Sequence, residues 1–241
     1  MAVAIVTGAS SGIGSQVALL LASHNIDVAV CYNKNKDGAD RVVDEILSNY
    51  SVKCYSYQCD ISSEEDVSKL IDNIYNDFGS IDILINNASI ALDNFINDKS
   101  SLEFRRVVDV NLVGTFLVTK YASRLMGERG VIVNVSSTNA IDSYYPESID
   151  YDASKAGVIS LTHNFALSLA PIRVNCVCPG WVDTPMNKDL SYDQRAVEED
   201  KILLGRFASS EEIAKVIVFL CSKDASYIND AIIKVDGGRR N

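Results

Sequence analysis

The 241-residue sequence predicts an α/β fold: one doubly wound parallel sheet with helices on both faces. Three observations carry that prediction. Short apolar runs alternate with helix-forming stretches from end to end, with short connections between them. A glycine-rich turn follows the first apolar run at once and opens a helix. Polar residues recur where apolar runs end, the edge at which open α/β sheets take ligands. No linker, low-complexity segment or internal repeat breaks the alternation, so residues 1–241 read as a single domain.

Ala2 to Val6 is the first strand, and Thr7-Gly8-Ala9-Ser10-Ser11-Gly12-Ile13-Gly14 follows it directly. In that context each glycine has a use. Gly8 permits the sharp turn, Gly12 lets the backbone approach a pyrophosphate, and Gly14 allows the helix to pack closely on the strand. The helix from Gln16 offers its free N–H groups and positive dipole end to phosphates. Gly8, Ser10, Ser11, Gly12, Ile13 and Gly14 are therefore candidate cofactor contacts in a Rossmann-type, NAD(P)-binding domain.

Asp27 to Tyr32 is the second strand. Many NAD-binding chains close this strand with a carboxylate for the adenosine ribose. Here the position falls at Tyr32 or Asn33, followed by Lys34. No carboxylate repels a 2′-phosphate there, and Asn33 and Lys34 can bind one. NADP(H) is the preferred cofactor, with NAD(H) left open.

Asp40 to Leu47 reads as helix, and Val52 to Gln58 as a third strand that runs into Cys59-Asp60-Ile61. Ser62-Ser63-Glu64-Glu65 has the form of a capping box, ahead of an apolar stripe of Val67, Leu70, Ile71, Ile74 and Phe78. Ile81 to Ile85 is the fourth strand, ending at Asn86-Asn87-Ala88-Ser89. Ser100-Ser101-Leu102-Glu103 starts a helix predicted to continue through about Met126. Asn111 inside it is either a satisfied core amide or a deliberate irregularity. Val131 to Val135 is the fifth strand, followed by Ser136-Ser137.

The next helix contains Tyr151-Asp152-Ala153-Ser154-Lys155 and runs to about Leu169. Four residues apart, the phenol and the ammonium share a helix face. A phenol ionises near pH 10, too high for neutral acid–base work, and an adjacent cation favours the phenolate. Ile172 to Val177 is the sixth strand, leading into Pro179-Gly180-Trp181-Val182-Asp183-Thr184. Asn187 to Leu204 is charged and irregular, and a substrate lid is expected at about 186–205. Ser209-Ser210-Glu211-Glu212 caps a helix whose apolar face holds Ile213, Val216, Ile217 and Leu220. Ala231 to Val235 is the last strand.

Bulk properties narrow the function. The formal charge of −10 argues against nucleic acid or an anionic membrane as partner, and no apolar run reaches spanning length. The start shows no basic region or cleavage site of an export signal. Six cysteines without a C-x-x-C pair read as reduced thiols of a cytoplasmic protein, and the two histidines lack metal-ligand spacing. No metal site is expected.

In order along the chain, Thr7-Gly8-x-x-x-Gly12-x-Gly14, Asp60, Asn86-Asn87-Ala88, Asn111, Ser137, Tyr151-x-x-x-Lys155, and Pro179-Gly180 with Thr184 make the sequence resemble the short-chain dehydrogenase/reductase family over its whole length. The resemblance implies roles. Tyr151 would protonate the carbonyl oxygen, and Lys155 would lower the Tyr151 pKa and bind the nicotinamide ribose. Ser137 would hold the substrate oxygen, and Asn111 would help hold a water that relays protons to Lys155. Val182 and Thr184, beyond Pro179 and Gly180, would contact the carboxamide. Asp60 and Ile61 would meet the adenine, and Asn87 with Ala88 the adenosine ribose region.

Leu204-Gly205-Arg206-Phe207, Glu211-Glu212-Ile213-Ala214 and Val235-Asp236-Gly237-Gly238 look most like reductases of 3-oxoacyl groups on acyl carrier protein. An NADPH-dependent reduction of a 3-oxoacyl thioester is the expected activity. An alcohol, sugar or polyol dehydrogenase of the same family is the alternative, and a non-catalytic nucleotide sensor a third reading. The resemblance also implies a homotetramer. Departures include Ser89 for glycine, Ser11 for arginine, and Asp152 for serine. An acidic segment with Asp142, Glu147 and Asp150 would line the substrate mouth, and Arg124, Arg129 and Arg173 are the candidate docking charges for an acidic carrier.

Overall fold

In the computed structural model, which describes residues 1–239, seven strands form one parallel sheet in the order β3-β2-β1-β4-β5-β6-β9. Arg240 and Asn241, the end of the expected 1–241 domain, lie outside the described residues. The strands are β1 Val3–Thr7, β2 Asp27–Tyr32, β3 Cys54–Gln58, β4 Ile81–Asn86, β5 Met126–Val135, β6 Arg173–Pro179 and β9 Ile232–Val235. Two-residue strands β7 (Val182–Asp183) and β8 (Ala208–Ser209) pair separately beside the sheet. The order reverses between β1 and β4, and such a switch point opens a crevice beyond the carboxyl ends of the strands.

Strand alternation assigns the helices to two faces. Ala4 and Val6 of β1 point to one side, where α1 (Gly12–Ser23), α2 (Lys36–Asn49) and α8 (Ser210–Cys221) contribute Val17, Leu21, Ile46, Ile213 and Ile217. Ile5 points to the other, where α3 (Glu64–Phe78), α5 (Gly114–Ala122) and α6 (Ile149–Ser168) contribute Val67, Ile71, Ile74, Leu117 and Ala166. Ile5, Ile71 and Ile74 are buried to 1% exposure or less. Each such side chain contributes about 1.5–3 kcal/mol relative to an exposed one.

Several boundaries differ from those the sequence suggests. The long helix expected from Ser100 to about Met126 starts as predicted, with Ser100 and Glu103 forming a reciprocal capping box on α4 (Ser101–Val108). It then passes through a π-helical turn, Asp109–Val113, continues as α5, and stops at Ala122, leaving Met126 to begin β5. The box expected at Ser62–Glu65 is displaced by one residue: Ser63 is the N-cap and accepts from the Asp66 amide. The segment expected to be irregular after Asn187 contains a helix, α7 (Tyr192–Asp200), with its own box of Ser191 and Gln194. No residue of α7 is buried, so it has no apolar stripe by which its sequence would announce a helix.

All six cysteines are free thiols. Among the described residues there is no cluster of metal-ligating side chains, and no helix is long and apolar enough to cross a membrane.

Candidate active site

The carboxyl ends of β1, β4, β5 and β6 open onto a cavity of about 960 Å³. Gly8, Ser10, Ser11, Gly12 and Ile13 line one end, Asn87 and Ala88 the middle, and Ser137, Tyr151, Lys155, Pro179, Gly180, Val182 and Thr184 the other.

The glycine turn is built for close approach. Gly8 and Gly12 have φ of +64° and +59°, which side-chain-bearing residues rarely adopt. A Cβ on Gly8 would lie 2.8 Å from Ala88 Cα, and one on Gly14 would lie 2.4 Å from the Gly8 oxygen. The Asn87 amide ties the turn to β4 by donating to the Thr7 and Gly8 carbonyls at 2.9 and 3.2 Å. The N-cap of α1, Ser11, makes no side-chain bond to the first turn, and that turn carries no acidic residue. Free N–H groups at a positive dipole end therefore face the cavity, and a pyrophosphate fits there.

Tyr32, Asn33 and Lys34 sit beside this turn at the end of β2, with Tyr32 buried and the other two exposed. The Ala9 amide donates to Cys31 O, which joins the turn to β2. Asp60 and Ile61 follow β3 next door, where the Cys59 amide donates to Tyr32 O. Both Asp60 oxygens are engaged: Oδ1 accepts from the Ser62 amide and hydroxyl, and Oδ2 pairs with Arg106 at 2.9 Å. These five residues, with Gly14 and Asn111, flank the cavity without lining it.

Asn111 answers both sequence alternatives at once. It is a fully buried amide whose Oδ1 accepts from the Ile90 N–H, while its Nδ2 donates to Ile90 O and Ser154 Oγ. It also occupies the π turn, a distortion frequent at functional sites. Through Ser154 it touches α6 between Tyr151 and Lys155. Its neighbour in motif, Asn86, faces the core and donates to Thr119 and Asn134.

Tyr151 and Lys155 share a face of α6, and Ser137 lines the same cavity beside the phenol. Burial pushes the Tyr151 hydroxyl up to about 12, opposed by the Ser137 hydroxyl and reinforced by the Asp152 and Asp93 charges. Burial also pulls the Lys155 ammonium down to about 8. Desolvation is the largest cause of the Tyr151 shift and sets its direction in this geometry. A protonated phenol beside a serine hydroxyl can deliver a proton to an oxygen that gains charge.

Three features of the site escaped the sequence. Glu198 of α7 accepts from the Tyr145 hydroxyl at 2.7 Å and from Trp181 Nε1 at 3.0 Å, and pairs with Lys201 at 2.7 Å. A buried Lys99–Asp150 pair at 2.9 Å steadies the start of α6, where Asp150 also accepts from the Tyr151 amide. Asn139 bridges Ser137 and Asp152. Aromatic residues flanking the Tyr151 and Pro179-Gly180 motifs were the available signal for the first. The Lys99–Asp150 pair and the Asn139–Asp152 bond link residues 51 and 13 apart, with no spacing rule to join them.

One expectation about charge is corrected. Of Asp142, Glu147 and Asp150, only Glu147 lines the cavity; Asp142 pairs with Lys234, and Asp150 is buried against Lys99. Arg124, Arg129 and Arg173 lie toward the amino ends of β5 and β6, across the sheet from the cavity, and Arg173 is spent on the carbonyls of Leu220, Ser222 and Ile228.

A family profile described as "Enoyl-(Acyl carrier protein) reductase" matches residues 8–240. A 3-oxoacyl-(acyl-carrier-protein) reductase FabG of Aquifex aeolicus is 40% identical over 240 residues, covering 98% of this chain and 96% of the relative. Among solved structures, a dehydrogenase/reductase from Sinorhizobium meliloti has a TM-score of 0.94 at 30% identity, covering 98% of this chain and 94% of that one. A short chain dehydrogenase from Burkholderia cenocepacia in complex with NADP has a TM-score of 0.93 at 30% identity, covering 98% and 96%. With the glycine turn, the Ser137–Tyr151–Lys155 cluster and the sheet order all in place, the chain belongs to the short-chain dehydrogenase/reductase family.

Proposed function

We propose that the chain is an NADPH-dependent oxidoreductase that reduces a 3-oxoacyl thioester to the 3-hydroxyacyl thioester. The observation that carries the reading is that Ser137, Tyr151 and Lys155 line the same cavity as the glycine turn. Full-length likeness to 3-oxoacyl-(acyl-carrier-protein) reductases supports the substrate class over the enoyl chemistry in the profile's description. Likeness to a structure in complex with NADP supports the cofactor.

Bound nicotinamide cofactor supplies the hydride. Its pyrophosphate would lie on Gly8, Ser10, Ser11, Gly12 and Ile13, with Gly14 holding α1 against the turn. Asn33 and Lys34 would take the 2′-phosphate beside Tyr32, Asp60 and Ile61 would flank the adenine, and Asn87 and Ala88 would border the ribose. Pro179, Gly180, Val182 and Thr184 would border the carboxamide. Ser137 orients the substrate oxygen, Tyr151 gives it a proton, and Lys155 binds the nicotinamide ribose. Asn111 holds α6 and the relay water.

One observation favours a second reading, a dehydrogenase of free alcohols, sugars or polyols. Asp93, Glu147, Asp189 and Asp193 line the mouth, whereas Arg124, Arg129 and Arg173 lie toward the amino ends of β5 and β6. The substrate could then arrive without an acidic carrier. A homotetramer and a reducing, cytoplasmic setting complete the proposal, and a monomer by light scattering would refute the former.

The test is NADPH oxidation, with NADH in parallel, on an acetoacetyl thioester. Turnover with NADPH supports the reading. Silence there, with activity on a sugar or simple ketone, moves the protein to the second.

A further inference from the structure

We propose that Asn139, its amide oriented by the Asp152 carboxylate, is the positioning residue that holds the Ser137 hydroxyl against Tyr151. The proposal rests on the carbonyl-reductase reading above.

The arrangement is a pincer. Ser137 caps the short 3-10 turn Thr138–Ala140, and its Oγ accepts from the Asn139 backbone N–H at 3.2 Å. The same Oγ donates to Asn139 Oδ1, also at 3.2 Å. One residue thus grips the serine oxygen from two sides and fixes its rotamer. The amide in turn donates from Nδ2 to Asp152 Oδ1 at 2.7 Å. An ionised carboxylate only accepts hydrogen bonds, so it obliges the NH2 end of Asn139 to face it. The oxygen end is left facing Ser137.

Asn139 lines the cavity, whereas Asp152 stands behind it and does not. Neither needs to touch substrate for the effect. A substrate carbonyl entering between Ser137 and Tyr151 takes over the serine proton from Asn139 Oδ1, while the Asn139 N–H keeps the serine oxygen where it was. Without the amide, the hydroxyl is free to rotate out of line. Misplacement of a positioning group on this scale costs up to about 100-fold in rate.

The experiment compares wild type, Asn139→Ala and Asp152→Asn on acetoacetyl thioester and on a simple β-keto ester. NADPH affinity is read separately by fluorescence. For Asn139→Ala, kcat should fall about 10-fold or more on both substrates, with NADPH affinity unchanged. The solvent deuterium isotope effect on kcat should rise, since proton delivery becomes slower; a merely structural role would not move it. Asp152→Asn preserves size, so it stands in if Asn139→Ala fails to fold, and it should show a smaller loss of the same kind. An unchanged kcat and isotope effect in both variants, or loss of NADPH affinity in parallel with kcat, overturns the proposal. A wild type silent on the thioester but active on the keto ester defeats the thioester reading alone. A wild type silent on both defeats the carbonyl-reductase reading and the pincer with it.

Discussion

Lys155 Nζ stands 5.6 Å from the centre of the Tyr151 ring and donates to the Val135 carbonyl at 2.8 Å. The lysine is thus held by the end of β5, and its charge lies over the ring of its motif partner. With 2% exposure it feels desolvation more than anything else, and this pulls it down to about 8. The phenol, pushed up to about 12, keeps its proton across the neutral range. The pair is arranged for donating a proton in the reductive direction.

A pH profile should show it. The ammonium is present below pH 8 and is lost as pH rises through that value, while Tyr151 remains protonated. Reductive kcat should therefore hold at pH 6–7 and decline above about 8. Lys155→Arg, always charged, should remove the decline even at reduced rate. A flat wild-type profile to pH 10 would refute the assignment.

The same lysine costs stability. Its folded pKa is depressed from 10.5 to about 8, so the penalty on the folded state is full below pH 8. It is relieved as pH climbs toward 10.5. The depression corresponds to about 3 kcal/mol at neutral pH. Lys155→Met removes that penalty and leaves the Val135 carbonyl without a donor, an offset of about 1 kcal/mol. The variant should melt at a higher temperature than wild type at pH 7, by a margin that shrinks toward pH 10. Equal melting temperatures at pH 7 would count against it.

How far the sequence could reach is shown by particular residues. Strand alternation and apolar stripes depend on local periodicity, so the sheet, its order of elements and most helix starts were legible in Val3–Thr7, Ile81–Asn86 or the Val67–Ile74 stripe. Gly8, Asn87, Ser137 and Pro179 were legible because each lies at or just beyond a strand end that faces the crevice, and Tyr151 and Lys155 because their spacing puts both on one face of α6. What was hidden depended on contacts between distant segments. The Glu198–Tyr145 bond spans 53 residues, and the Lys99–Asp150 pair spans 51. The raised Tyr151 pKa was hidden too, because burial is a property of the packed site. The π turn at Asn111 left no local signal, since its residues have ordinary helix-forming neighbours.

Gly14 gives a steric test of the nucleotide site. A Cβ there would lie 2.4 Å from Gly8 O and 2.5 Å from Asn87 Nδ2, so α1 or the turn must shift. Gly14→Ala should weaken NADPH binding by about 10-fold, the effect of roughly 1.4 kcal/mol, and lower the melting temperature. Gly79→Ala is the control. Gly79 has φ of +84° and open space around it, at the far end of α3. It should lose stability and keep NADPH affinity. Equal affinity losses in both variants would mean that global softening, and no local clash, is responsible.

The Glu198 carboxylate is the natural place to loosen the lid. It joins α7 to Tyr145 and Trp181, and Trp181 in turn stacks on Phe207 at 5.2 Å. Burial opposes its ionisation, but Lys201, Tyr145 and Trp181 outweigh burial and hold the pKa below the usual carboxylate range. The contact is therefore intact at neutral pH and is lost only as pH falls through that depressed value. Glu198→Ala removes the shared acceptor while leaving Tyr145 and Trp181 bonded to each other at 3.0 Å. The wall should survive and the helix should detach. Proteolytic cleavage between residues 187 and 204 should quicken several-fold, and the substrate KM should rise by a similar factor. NADPH affinity, set mainly by the glycine turn, should change less than twofold. A variant with wild-type KM and unchanged cleavage would show that α7 is held by its other contacts, chiefly the Arg195–Asp183 pair.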